Sequence, residues 1–292
     1  MLRTFPLTFP LIASLVLGSC AVDEDPPELV DQARISPNGT SANGITAGIK
    51  LTGVAPVGLR PNGTPISIAA SGAPLVGAGF VGSTWTGHVA SAANVTLRVD
   101  DAAHGTGANA DLWSYRVSAS IGGAWRPLCV NSTGAALPAH AVRGTWNLAE
   151  GVPGGGAYTA AATDFTFACD QSAIFKCLEF GYKPWTGHAY DLAACVRALR
   201  ADFCGDGTSY TVDGTLVNIF DIGGLQPDSF GWTPEAEWTP FGASCVSQAQ
   251  NTRFFQRAGV RPPCFPSPLA AKNSCGTGFS GEARIITELP PR

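Results

Sequence analysis

Nine cysteines constrain the fold of this 292-residue chain more than any other feature of its sequence. One is Cys20, and the other eight stand at positions 129, 169, 177, 195, 204, 245, 264 and 275. Lipidation or cleavage at Cys20 leaves eight cysteines, an even number. In an exported chain eight cysteines predict four disulfides, whereas a zinc site would require Cys-x2-Cys pairs that this sequence lacks. Five of the eight lie in 129–204 and three in 245–275. Full pairing therefore requires at least one bridge between the two groups, so that a disulfide staples the C-terminal segment to the rest.

The N-terminus predicts export. Residues 1–19 combine an early Arg3, a short apolar stretch and a small-residue exit, which is typical of a signal peptide. The sequence Leu-Gly-Ser-Cys that ends at Cys20 resembles the bacterial lipobox, in which the cysteine thiol is diacylated and becomes the new N-terminus. Simple cleavage after Ala21 is the alternative. Because Ala21 rather than an aspartate follows the cysteine, the sorting rule of well-studied Gram-negative bacteria favours an outer membrane lipoprotein.

Composition excludes several classes of protein. Charged residues make up 14% of the chain and its net charge is −4, so a nucleic-acid partner is not expected, because phosphate neutralisation requires a basic face. No apolar run long enough to span a bilayer follows the N-terminal segment. The stretch 20–44 is first acidic and then rich in Ser, Asn and Gly, which predicts a lipidated flexible tether. The expected membrane contact is therefore a lipid anchor.

Hydrophobic periodicity predicts an α+β fold: a β-rich, disulfide-stapled domain with two central helices. A β-rich segment occupies 45–100, with Asn-Gly turns between short strand patterns, and further strands are predicted at 114–121, 125–130, 163–168 and 215–221. Helical spacing of apolar residues appears at 172–180 and 189–203, and Gly205 is expected to end the second helix. From 223 to 243 the pattern predicts loops, and a last strand is predicted at 283–288.

The second helix ends in a recognisable motif, Ala201-Asp202-Phe203-Cys204. This segment resembles the ADYC domain family, named for its Ala-Asp-Tyr-Cys core, with phenylalanine here in place of tyrosine. Similar stretches occur at 111–117, 125–129, 165–169, 176–177, 181–185 and 238–240. The resemblance implies a bacterial secreted protein or lipoprotein of a kind frequent in myxobacteria, with a cysteine framework and no established activity. We assign 101–292 to this cysteine-rich domain, with a loop-rich part at 226–292.

The residues after the helix also suggest a calcium site. Asp202, Asp206 and Asp213 occupy positions 1, 5 and 12 of an EF-hand-like loop, and position 6 is a glycine. Position 3 is Cys204, however, and a thiol is a poor ligand for this cation. The competing interpretation is that the first two aspartates cap the helix end and the following turn. No other cofactor is expected.

Catalytic candidates are few. The sequence contains no Gly-x-Ser-x-Gly elbow, no His-Glu-x-x-His, no P-loop and no dinucleotide-binding glycine motif. His188 and Asp191, three residues apart, could act as a general base and the carboxylate that orients it, and an unpaired cysteine could act as a nucleophile. An envelope-polymer hydrolase is therefore one alternative function, and a calcium-stabilised adhesion module is another.

Aromatic residues within the predicted loops favour a binding role. Trp185, Trp232 and Trp238 stand there among prolines and further phenylalanines. Exposed aromatic side chains on rigid loops suit contact with an envelope glycan or a protein, although the same residues could fill a small core. The leading hypothesis is a cell-envelope lipoprotein with a structural or binding role at the outer membrane.

Overall fold

The computed structural model describes four short strands at 50–52, 56–59, 65–68 and 74–75, followed by residues 77–88, 94–131, 133–147, 149–160, 165–211, 215–247, 252–256, 261–264, 275 and 278–291. The predicted signal peptide, Cys20 and the predicted tether lie outside these residues. None of the helices described there is long and apolar enough to cross a membrane.

Strands dominate the chain. In order they are β1 (Lys50–Thr52), β2 (Pro56–Leu59), β3 (Pro65–Ile68), β4 (Pro74–Leu75), β5 (Thr84–His88), β6 (Asn94–His104), β7 (Trp113–Ile121), β8 (Ala124–Pro127), β9 (Cys129–Val130), β10 (Ala136–Leu137), β11 (Ala139–Arg143), β12 (Thr145–Trp146), β13 (Tyr158–Thr159), β14 (Phe165–Cys169), β15 (Asn218–Asp221), β16 (Thr233–Thr239), β17 (Gly242–Val246) and β18 (Ile285–Leu289). The α-helices are α1 (Ala173–Glu179), α2 (Ala189–Arg200) and α3 (Arg253–Gln256). This agrees with the predicted β-rich chain with two central helices.

Six antiparallel strands form a closed sheet in the first half of the molecule. The hydrogen-bonded order is β11-β14-β1-β5-β6-β7, and β7 returns to pair with β11, while β8 extends the outer part of β7. Alternate residues of a strand point inward, as Tyr115, Val117 and Ala119 of β7 do, because successive side chains on a strand face opposite sides. The interior is aromatic: the ring of Trp85 packs edge-on against Phe165, and Phe80 against Tyr115.

A helix–sheet module follows the closed sheet. Its four-stranded antiparallel sheet has the order β15-β18-β16-β17, and α1 and α2 pack together beside it. Ser172 caps α1, since its hydroxyl accepts a hydrogen bond from the backbone N–H of Phe175 at 3.3 Å. From Asp191 to Arg200 every residue of α2 is buried, which is typical of a helix that packs on several sides.

The two parts share strands β11 and β14. Phe165 and Phe167 of β14 point into the closed sheet, whereas Ala168 belongs to the core around the helices. A polar contact adds to this boundary: Asp111, in the turn before β7, accepts a hydrogen bond from the indole Nε1 of Trp185 at 2.9 Å and forms an ion pair with Lys183. One strand therefore contributes to both cores through its two faces.

Eight cysteines form four disulfides. The bridge Cys129–Cys169 lies in the core of the closed sheet. The bridges Cys177–Cys195 and Cys245–Cys275 belong to the helix–sheet module, and Cys204–Cys264 joins the two cysteine groups of the sequence. Disulfides of this number indicate an exported protein, because reducing compartments do not maintain them.

Two sequence expectations about secondary structure are wrong. Residues 233–239 and 242–246, within or overlapping the segment expected to be loops, form β16 and β17. The pattern was concealed because β16 begins Thr-Pro and carries two glutamates, Glu235 and Glu237, whose side chains are buried and paired. The second helix also ends at Arg200, before the expected stop at Gly205.

Candidate functional site

The family-like motif begins at the C-terminus of α2. Ala201 has φ of 53°, in the left-handed region, and its N–H donates to the carbonyl of Ala198 at 3.1 Å. The N–H of Asp202 donates to the carbonyl of Arg197 at 3.0 Å. These two bonds form a Schellman cap, which usually has glycine at the left-handed position. Alanine occupies this position here, and it is fully buried in the core.

Asp202 is the centre of a buried polar network. Its side chain is 0% exposed and forms an ion pair with Arg197. The same carboxylate accepts hydrogen bonds from the backbone N–H groups of Asp206 at 3.1 Å and Gly207 at 2.9 Å. Burial raises the pKa of Asp202, against the opposing effect of Arg197 and of the Gly207 N–H. The carboxylate thus fixes the turn that follows the helix.

Phe203 and Cys204 connect this turn to the neighbouring sheet. The ring of Phe203 lies 5.0 Å from that of Trp238 in β16 and 5.6 Å from that of Phe254 in α3, centroid to centroid. Its carbonyl accepts a hydrogen bond from the N–H of Ala243 in β17 at 3.1 Å. Cys204 forms its disulfide with Cys264. All four motif residues therefore serve the fold.

Two glycines near the motif have no room for a side chain, because neighbouring loops approach them closely. A Cβ on Gly155 would collide with the carbonyl of Asp206, and one on Gly205, where φ is +68°, with the carbonyl of Phe241. Arg197 ties both loops to the helix, since its guanidinium donates to the carbonyls of Gly155 at 2.6 Å and of Pro240 at 3.0 Å. Glycine is needed at these positions for close backbone contact.

The suggested calcium ligands are used differently by the fold. The oxygens of Asp202 already accept from Arg197 and the backbone, and Asp206 Oδ1 accepts from the N–H of Thr208 at 2.9 Å. Asp213 lies outside the described residues. These contacts agree with the competing interpretation, in which the two aspartates cap the helix end and the turn, and calcium binding stays a prediction.

His188 and Asp191 do lie together. His188 precedes α2, and its Nδ1 is 2.8 Å from Oδ2 of Asp191 in the first turn. The other oxygen of Asp191 accepts from Nε of Arg284 at 2.7 Å. Burial alone would raise the pKa of Asp191, but the hydrogen bonds from Arg284 and His188 outweigh it and hold this pKa below its ordinary value. The histidine side chain is 31% exposed, so it can reach a ligand in solvent.

The three tryptophans differ in environment. Trp238 is fully buried, and its Nε1 donates to the hydroxyl of Thr287 at 2.8 Å; the expectation that it could bind a partner is wrong, because its β16 position faces the core. Trp185 is half-buried against that core. Trp232 is half-buried too, and its ring stacks on Phe230 with centroids 4.7 Å apart.

One buried network had no signal in the sequence. Arg253 of α3 is 0% exposed and pairs with Glu235 of β16, with Nε to carboxylate oxygens at 2.9 and 3.0 Å. The same guanidinium donates to the carbonyls of Ala198 and Leu199 at 2.6 and 3.1 Å, near the end of α2. Thr287 adds a hydroxyl hydrogen bond to Glu235 at 2.9 Å. These residues are far apart in sequence, and no spacing rule connects them.

Comparison with known proteins places the motif in its family. The model of the ADYC domain matches residues 77–252, which is more than half of the chain. The chain belongs to the ADYC domain family. The match begins before the expected boundary at 101, within the closed sheet, so the ADYC domain includes strands of that sheet as well as the motif helix. No curated protein and no solved structure is significantly similar to the chain.

Proposed function

We propose that this ADYC protein is a lipid-anchored, non-catalytic module of the bacterial cell envelope that has a structural or binding role. The observation that carries the proposal is that the motif residues are buried, paired or bridged within the fold. Asp202 is buried and paired with Arg197, Phe203 is in the core, and Cys204 is bridged. A motif committed in this way maintains a shape, and reactive chemistry would require accessible atoms.

The anchor is argued from the sequence. Cys20 closes a signal-like segment in a lipobox-like context. Two acyl chains on one cysteine give stable attachment to a bilayer, whereas one chain does not. Ala21 favours the outer membrane, and the stretch 20–44 would hold the folded part away from the lipid surface.

Mass measurement of the intact protein and of its N-terminal peptide tests this proposal. The protein is purified in detergent from membranes of a Gram-negative bacterium and alkylated before and after reduction. We expect lipid mass on the peptide that begins at Cys20, no alkylation before reduction, and alkylation of the eight other cysteines afterwards. The matched variant Cys20→Ala should leave the membrane fraction and retain its four disulfides. An unmodified N-terminal peptide would overturn the anchor, and a thiol that reacts before reduction would overturn full pairing.

A second candidate function is hydrolysis of an envelope polymer, which the contact between His188 and Asp191 favours. An imidazole held at Nδ1 by a carboxylate can use Nε2 as a general base toward water. Cell-wall fragments incubated with the protein provide the assay, and His188→Gln is the test variant. Turnover that disappears in this variant but persists in His104→Gln, an exposed histidine elsewhere, would support hydrolysis. Absence of turnover in the parent protein would reject it.

A further inference from the structure

Two carboxylates meet at one end of the four-stranded sheet. Asn218 of β15 donates through Nδ2 to Asp228 Oδ1 and to Glu288 Oε2, at 2.9 Å each. Within the part of the chain that the structure describes, no Lys or Arg side chain forms an ion pair with either carboxylate. A negative pair of this kind, without compensation, attracts positive charge.

Glu288 shows the electrostatic consequence of this arrangement. Its side chain is almost completely buried. Burial raises the pKa of Glu288; the hydrogen bond from Asn218 opposes this shift, the charge of Asp228 adds to it, and the N–H of Trp232 opposes it. A cation beside the two carboxylates would remove the cost of keeping both ionised.

The amide of Asn218 is the second feature of this place. Asn218 is 0% exposed, its Nδ2 donates to both carboxylates, and its Oδ1 has no hydrogen-bond partner among the described residues. A buried amide oxygen without a donor is costly unless a ligand or water supplies one. What remains available from all three side chains is acceptor capacity, so a donor-rich ligand fits and an anion does not.

Aromatic rings border the same loop. The N–H of Phe230 donates to Asp228 at 3.4 Å, and the N–H of Trp232 donates to Glu288 at 2.9 Å. The two rings stack on each other and are each half-buried. Aromatic rings on the loop whose backbone contacts both carboxylates add a second feature that recognises an organic cation, because cation–π attraction can then supplement charge-assisted hydrogen bonds.

We propose that Asn218, Asp228, Phe230, Trp232 and Glu288 form an acidic–aromatic site that binds the guanidinium of an arginine side chain in a basic peptide or protein segment. A planar guanidinium has donors for both carboxylates and a face for the indole ring. This inference deepens the binding role proposed above by naming a ligand class. It does not depend on the lipid anchor, because the site lies wholly in the folded part.

The test is calorimetric titration of the full-length protein in detergent with the tripeptide Gly-Arg-Gly. The matched ligand is Gly-citrulline-Gly, which has nearly the same shape but no charge. We expect saturable binding of the arginine peptide and at least about tenfold weaker binding of the citrulline peptide, because charge-assisted hydrogen bonds and cation–π contact are lost. Asp228→Asn, a substitution at an exposed position, should weaken binding of the arginine peptide by about tenfold. Trp232→Leu should weaken binding of this peptide as well.

The control variant is Asp101→Asn, which removes an equal charge from an exposed position on β6 and should leave binding unchanged. Equal effects of Asp228→Asn and Asp101→Asn would overturn the proposal, because attraction would then be general. Equal binding of the two peptides, or no binding of either, would also overturn it. Calcium chloride or a neutral disaccharide that binds in an Asp228-dependent way while the peptide does not would identify a different kind of site. Loss of the anchor in the mass measurement would leave all these outcomes unaffected.

Discussion

The closed sheet and the helix–sheet module are stabilised by different interactions, although they share two strands. The closed sheet has an interior of aromatic and aliphatic side chains and one disulfide, Cys129–Cys169. The helix–sheet module buries two ion pairs, Arg197–Asp202 and Arg253–Glu235, and contains the other bridges or their ends. Both regions have an apolar core, and within the described residues the helix–sheet module adds these buried ion pairs to its apolar packing.

The difference explains what the family motif does. A closed ladder of strands satisfies its backbone groups internally, whereas the helix end and the loops around α2 leave carbonyl and N–H groups that need other partners. Buried arginines supply these partners: Arg197 binds two loop carbonyls, and Arg253 binds two at the end of α2. The motif aspartate then balances one of these charges.

Breaking the Arg253–Glu235 pair should have a large effect on stability. We expect Arg253→Met to lower the free energy of unfolding by about 3–5 kcal/mol, because it leaves a buried carboxylate unpaired. Urea unfolding monitored by tryptophan fluorescence measures the change. The matched control on the closed sheet is Arg98→Met, which breaks a partly exposed ion pair with Asp100 and should cost less than about 1 kcal/mol. Equal losses in the two variants would remove the contrast between the regions.

His140 should make the boundary between the two regions sensitive to acid. Its ring stacks on that of Phe175 of α1, with centroids 3.9 Å apart, and its Nε2 lies 3.9 Å from Oδ1 of Asp170. Burial lowers the pKa of His140 to about 4, and the backbone of Trp113 opposes this shift. The unfolded chain therefore binds more protons between about pH 6.5 and this value, so stability falls as the pH is lowered through this window.

Replacing His140 with a side chain that does not titrate isolates this effect. Over the full window the group should contribute a loss of about 3 kcal/mol, which His140→Phe should lack. Urea unfolding of parent and variant at a series of pH values gives the difference, and His140→Leu provides a second variant if the larger ring disturbs packing. Parallel pH profiles for parent and both variants would show that the histidine is not buried in its neutral form.

Two of the disulfides should differ in their rate of reduction because they differ in solvent accessibility. Cys204 and Cys264 are each half-buried, whereas Cys129 and Cys169 are each 1% exposed. Thiol–disulfide exchange requires access for the attacking thiolate. We expect a dithiol reductant to open Cys204–Cys264 at least about tenfold faster than Cys129–Cys169 under native conditions, as measured by alkylation of released thiols and peptide mass analysis. Simultaneous release of all eight thiols would mean that reduction follows global unfolding.

The smallest effect is expected at the left-handed alanine. Ala201→Gly should change the free energy of unfolding by less than about 1 kcal/mol, because relief of the left-handed conformation offsets the lost methyl group and the greater freedom of the unfolded chain. Ala198→Gly is the control, since Ala198 is equally buried but helical, and should cost about 2 kcal/mol. Equal losses would mean that the cap strain is unimportant.

Much of the closed sheet was predictable because its strands alternate, as in β7, where Tyr115, Val117 and Ala119 point inward. The even cysteine count predicted the disulfides and the bridge between the two groups. The later strands were not predictable in the same way, because β16 has buried glutamates where an alternating strand has apolar residues. Their partners, such as Arg253 for Glu235 and Ser280 for Glu237, lie on distant segments.

The candidate sites also differ in how far they could be predicted from the sequence. The contact between His188 and Asp191 followed from helical spacing, because residues three apart lie on one face. The acidic–aromatic site did not, since Asn218 and Glu288 meet only through the pairing of β15 with β18. Trp232 was chosen from its loop context and its binding role stays a prediction, whereas the same reasoning failed for Trp238, which occupies a strand.

A double-mutant cycle at Arg197 and Asp202 tests most directly whether the ADYC motif maintains the fold. We predict that Arg197→Met and Asp202→Leu each lower the free energy of unfolding by about 3–5 kcal/mol, and that the double variant loses at least about 2 kcal/mol less than their sum, because neither charge is then left alone. Urea unfolding with and without calcium provides the measurement. Single variants as stable as the parent, with a calcium-dependent stability that only the parent retains, would contradict this account.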